Sequence, residues 1–209
     1  MRVLSISCVI FFTLSFTTVN GDDQPTPSAA AAATVERLTR QILSIDARFG
    51  VRGETAFAAR HAAYAPLIDA THDLLFMARL TVRRQWHTFD PEQRTRFIDA
   101  FRELTITAYA ARYRGLDGVR FASTEARSMP RGRVEIRTTL IDPADDDVRF
   151  SYVLHATDDG WRIVNITADG VSELALKRGQ YSRVLVDGGA AALLERLAVE
   201  QAELRASAL

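Results

Sequence analysis

The chain has 209 residues, 47% of them hydrophobic and 25% charged, with 26 basic and 26 acidic side chains and a formal net charge of 0. That balance argues against nucleic acid as a partner, which asks for a basic excess. The basic side is almost wholly arginine, with Lys177 the only lysine, and the only cysteine is Cys8.

Met1-Arg2 precedes a charge-free run from Val3 to Val19 that is rich in Phe, Leu, Ile and Val. This is the pattern of an export signal, expected over residues 1–21, with cleavage near Asn20-Gly21 or among Ala29 to Ala33. A retained anchor is the alternative, but the run falls short of the ~20 residues a spanning helix needs. An acylated cysteine would follow the apolar stretch, whereas Cys8 sits inside its first half. Removing the signal takes Cys8 with it, which excludes disulfides, thiol nucleophiles and Cys-ligated zinc from the mature protein. Roughly 175 to 185 residues then remain, enough for one domain with its own core.

Residues 22–33 (DDQPTPSAAAAA) show no apolar periodicity and read as a disordered linker ahead of a single domain over 34–209. Val35, Leu38, Ile42, Ile45 and Phe49 then recur at helical spacing, predicting a first amphipathic helix that breaks at Gly50 and Gly53. Glu54 to Trp86 is helical in character, with Pro66 marking a boundary or kink. Asp90-Pro91 with Gln93 is a helix start with a capping box, and Phe97, Phe101, Leu104, Thr105, Ala108 and Tyr109 give that helix a broad apolar face.

After Gly118 the period changes to two. A weak strand over Arg120 to Glu125 is followed by three clearer ones, around Val134 to Leu140, Val148 to His155 and Trp161 to Thr167. Asp142-Pro143 and Asp158-Asp159-Gly160 supply turns. Two further helices, Val171 to Val186 and one beyond Gly188-Gly189, close the chain. The expected class is α+β: a four-stranded antiparallel sheet with helices packed on one face.

Catalytic signatures are missing. His61, His72, His87 and His155 form no metal-ligand spacing and read as surface or rim histidines, and there is no nucleophile elbow or phosphate-cradling glycine loop. Asp145-Asp146-Asp147 reads as a solvated turn. Aromatic residues are plentiful at inward positions, among them Phe76, Phe97, Phe101, Tyr109, Phe150, Tyr152 and Trp161. Periodicity alone does not distinguish a filled core from a hollow one.

Two stretches resemble the MlaC family of periplasmic lipid-binding proteins, also known through toluene tolerance. Phe89-Asp90-Pro91-Glu92-Gln93-Arg94, with Phe97, Ala100-Phe101-Arg102 and Thr107-Ala108-Tyr109, is similar to that family's TPAQR…F…AFR…TYA helix. Gly160-Trp161, Asp169-Gly170-Val171-Ser172, Tyr181, Gly188-Gly189 and Leu193 to Leu197 are similar to its GW…EGVS…YR…GGxxxLIxxL ending. Ala70 to Leu80 and Asp169 to Tyr181 look most like the hopanoid-associated, HpnM-like branch.

The resemblance implies a non-enzymatic periplasmic carrier that encloses lipid tails, either of a phospholipid or of a hopanoid-type lipid, in an apolar cavity between helices and sheet. The bound lipid is cargo rather than cofactor, and no metal is expected. Implied partners are an inner-membrane ABC transporter bearing an MCE-domain protein and an outer-membrane lipoprotein complex. A lipid held by its tails can leave its headgroup in water, so no specific charged site is needed. Candidate cavity walls are Leu67, Leu75, Phe76, Leu80, Phe97, Phe101, Leu104, Val134, Ile136, Phe150, Tyr152 and Ile163. Arg79, Arg83 and Arg84 form either a basic rim or a solvated helix face. The alternatives are a cone-shaped α+β enzyme using an acid or a Tyr-His pair on a small hydrophobic substrate, and a scaffold subunit with a filled core.

Overall fold

The structure, a computed structural model, describes residues 26–122 and 124–209. The expected export signal and residues 22–25 of the expected linker lie outside the described residues. The first helix, α1 (Pro27–Phe49), begins well before Thr34. Thr26 Oγ1 accepts a hydrogen bond from the Ala29 N–H at 3.2 Å, Pro27 suits a first helical position, and an alanine run has the highest helix propensity available. Residues 27–33 are therefore helix rather than linker, with Ala31 fully buried. Alanine carries too little side chain to print a period, which is why the sequence pattern does not reveal this turn.

Helix α2 (Glu54–Thr71) runs through Pro66 without ending there. The ring removes one backbone bond, but burial of Tyr64, Leu67 and Ile68 around it holds the helix. The true boundary is His72, whose extended backbone (φ −113°, ψ 145°) pairs with Ile163 of the sheet. Asp73 then caps α3 (Leu74–Val82) by accepting from the Phe76 N–H at 2.9 Å. A 3-10 segment (Arg83–Thr88) leads to α4 (Pro91–Arg112). Its expected capping box is formed: Asp90 accepts from the Gln93 N–H at 2.8 Å, and Gln93 accepts from the Asp90 N–H at 3.0 Å.

The sheet has six strands, not four: β1 (Arg120–Phe121), β2 (Glu125–Met129), β3 (Arg133–Ile141), β4 (Val148–Thr157), β5 (Gly160–Ala168) and β6 (Val171–Ser172). All pairings are antiparallel, in the order β1-β3-β4-β5-β6, with β2 sharing the β3 edge with β1. The weak strand expected over Arg120 to Glu125 coincides at its start with β1, and the strands that the sequence pattern misses are β2 and β6. Glu125–Met129 is almost wholly exposed, so no apolar alternation marks it. On the central strands the register aligns Val134, Leu154 and Ile163 on one face, and Ile136, Tyr152 and Ile166 beside them. Glu135, Arg137 and Ser151 occupy the opposite face. A bulge at Val153/Leu154 lets both Ile163 and Val164 be buried.

Helix α1 lays Val35, Leu38, Ile42 and Ile45 against α2 and the sheet, as its stripe predicts. The last helix, α5 (Glu173–Ala208), is bent at Gly189 (φ 67°, ψ −162°), a conformation open essentially to glycine alone. It packs against both α3 and α4. Arg60 of α2 is fully buried and donates to the backbone carbonyls of Ala110 (2.8 Å), Phe49 (2.5 Å) and Val51 (2.7 Å). It ties α4 to the α1–α2 turn. Among the described residues, no helix is long and apolar enough to cross a membrane.

Candidate functional site

A pocket of about 340 Å³ lies between α4, the buried sheet face and α5. From α4 come Phe101, Leu104, Thr105 and Ala108, whose spacing puts them on one face. Alternating sheet positions supply Leu140, Val148, Phe150 and Ile166, and α5 adds Leu174 and Leu204. The volume falls in the range of small-molecule sites, which are mostly apolar with a few placed polar groups.

Those polar groups are of two kinds. At one wall, Tyr109 and His72 are joined by a hydrogen bond of 3.1 Å between the phenol and Nε2. His72 Nδ1 lies 2.9 Å from Thr71 Oγ1, which itself donates to the Leu67 carbonyl at 2.7 Å. Because the Thr71 proton is committed to that carbonyl, Nδ1 must be the donor to Thr71 and Nε2 the acceptor from Tyr109. Each proton in this chain is used, and the imidazole is neutral. Burial pushes His72 down to about 4, and burial first, then neighbouring Tyr113, raises the Tyr109 phenol well above its ordinary value. The expectation of a surface or rim histidine is corrected at this position, since His72 is only 4% exposed.

The second kind is a charged rim. Arg112 of α4 pairs with Glu173 at the start of α5. Burial opposes the Arg112 charge, but Glu173 outweighs it and raises the guanidinium above its usual value. Lys177 Nζ sits 2.8 Å from Glu200 Oε1, joining the two arms of α5 across the bend, and 5.7 Å from the Tyr181 ring. No local motif in the sequence marks these groups, apart from Lys177 being the chain's only lysine.

Of the expected wall residues, Phe101, Leu104 and Phe150 line the pocket. Leu67, Phe97, Val134, Ile136, Tyr152 and Ile163 are buried in the core packed around it. Phe76 is half-buried against His155, with ring centres 5.0 Å apart, and beneath Arg133. Leu80 is half-buried on α3, while Leu75 is 46% exposed and is not among the residues that line the pocket. Arg79 lies over the Trp86 ring at 5.5 Å, and Arg83 and Arg84 belong to a different groove. Among the described residues, no group of three or more His, Cys, Asp or Glu side chains is placed to hold a metal.

Fold and site together define an α+β protein with an apolar pocket between helices and sheet, rimmed by two ion pairs. The chain belongs to the MlaC family: the family model described as MlaC protein matches residues 37–199. No curated protein matches it. Among solved structures, it is similar to a phospholipid-binding protein from Ralstonia solanacearum determined in complex with a phospholipid. The TM-score is 0.70 at 22% identity, over 83% of this chain and 98% of that one, a likeness of fold.

Proposed function

We propose that this protein is a lipid carrier that holds the tails of its cargo in the pocket between α4, the sheet and α5. The observation that carries the reading is the apolar lining of Phe101, Leu104, Leu140, Phe150, Ile166 and Leu204 in a chain of the MlaC family. Each methylene withdrawn from water is worth about 0.8 kcal/mol, so a carrier needs no covalent or metal anchor. The cargo reading extends to two lipid classes. A phospholipid is supported by the fold shared with the phospholipid-binding protein of Ralstonia solanacearum, and a hopanoid-type lipid by the residues of the HpnM-like resemblance. The protein is a single domain, exported by its N-terminal segment to the periplasm. It exchanges cargo there with an inner-membrane ABC transporter bearing an MCE-domain protein and with an outer-membrane lipoprotein complex.

Organic extraction of the purified protein followed by mass spectrometry tests this reading: a stoichiometric amphiphile supports it, and a lipid-free protein that takes up none from mixed vesicles overturns it. The Tyr109–His72 pair is the observation that favours an enzyme instead. Against that reading, an imidazole held near pH 4 is a weak base, and its acceptor nitrogen is already occupied by the phenol. Substituting Tyr109→Phe leaves lipid content intact if the protein is a carrier.

A further inference from the structure

The first arm of α5 has two working faces. Leu174 and Lys177 line the pocket, while Ala175, Arg178, Gly179 and Ser182 line a separate groove of about 450 Å³. Arg83, Arg84 and Gln85 of the 3-10 segment form the opposite wall. Three arginines thus line one groove with no Asp or Glu among the lining residues. None of the three belongs to a salt bridge among the described residues. Gathering like charges without a counter-charge favours occupation by an anion, and the planar guanidinium fork matches phosphate oxygens two at a time.

Two backbone features point the same way. Arg83, the C-cap of α3, holds φ 43° and ψ −109°, a conformation that disfavours a residue with a side chain, and it lines the groove. Gly179 stands inside a helix, where glycine is the poorest residue after proline. A Cβ built on it meets nothing within 4 Å, so protein packing does not require the glycine. The space above it is the groove, and a bound anion can approach the helix there. Ser182 and Gln85 add neutral donors.

We propose that this groove is a phosphate-binding site, taking a phosphate ester or the phosphate of a lipid headgroup on a face of α5 separate from the one that lines the cargo pocket. The inference is independent of what fills the pocket.

Amide NMR at constant ionic strength, titrating the full chain with inorganic phosphate, tests it. Saturable shifts at Gly179 and Ser182 are expected, with affinity at least about tenfold weaker in Arg84→Gln/Arg178→Gln. Gly179→Leu, which keeps every charge and fills the groove, is expected to weaken binding by a similar factor without lowering the melting temperature. Flotation with phosphatidylcholine vesicles, with and without phosphatidylglycerol, separates the sources. Binding to the anionic vesicles that free phosphate competes away assigns a headgroup, and saturable phosphate binding without flotation assigns a soluble ester. The proposal is overturned if neither phosphate nor anionic vesicles bind saturably, or if Gly179→Leu binds as tightly as the parent.

Discussion

Lowering the pH from 8 to 5 asks the unfolded chain, but not the folded one, to protonate His72. Its ordinary value is 6.5, and burial beside Tyr109 brings it down to about 4 in the folded protein. A depressed imidazole leaves stability whole above the unfolded value, and acid removes it, because only the unfolded state binds the proton between pH 6.5 and pH 4. The loss grows by about 1.4 kcal/mol per pH unit in that window, reaching about 2 kcal/mol at pH 5 and about 3.4 kcal/mol below pH 4. Urea denaturation followed by the fluorescence of Trp86 and Trp161, at pH 8, 6.5 and 5, measures it. His72→Gln cannot titrate, so its stability should fall less than the parent's over the same interval, by about 2 kcal/mol. Carboxylates and the other histidines contribute equally to both proteins and cancel. Parallel pH profiles for parent and variant would refute the proton chain from Tyr109 through His72 to Thr71.

Arg60→Met removes the buried donor shared by three backbone carbonyls, of which that of Ala110 is buried, and should cost about 3 kcal/mol in urea denaturation. Ala108→Trp projects an indole into the pocket; copurifying lipid, quantified by mass spectrometry, should fall several-fold while circular dichroism stays that of the parent. Gly189→Ala forces a side chain into the glycine-only bend of α5 and should cost about 1–3 kcal/mol, read as a lowered melting temperature.

The sequence made the interior of the fold legible and hid its margins. Amphipathic periodicity placed α1, α4 and the central strands because each buries one face, and burial is what writes a period into a chain. Edge strand β2 buries nothing and left no trace. The alanines opening α1 are helical through propensity and a Thr26 cap, neither of which alters hydrophobic periodicity. Pro66 is no boundary, because the burial of Tyr64, Leu67 and Ile68 around it offsets the backbone bond its ring removes.

For the site, α4 was the readable part. Phe101 and Leu104, expected as wall residues, line the pocket, and Thr105, Ala108 and Tyr109 of the same face line it too. Leu75 is exposed where a wall residue is expected, because α3 is apolar around more than one face and periodicity alone does not mark its inward side. Residues from Leu140, Ile166, Leu174 and Leu204 converge only when the sheet and the bent α5 close over α4. The Arg112–Glu173 and Lys177–Glu200 pairs link positions far apart in the chain, and no local motif announces them.

The central claim, that the pocket holds lipid tails, is tested most directly by native mass spectrometry of the purified protein before and after organic extraction. A mass excess equal to one amphiphile, lost on extraction and much reduced in Ala108→Trp, is the result expected of the carrier. A protein of apo mass both times, unchanged after incubation with vesicles containing phospholipid and hopanoid, would contradict it.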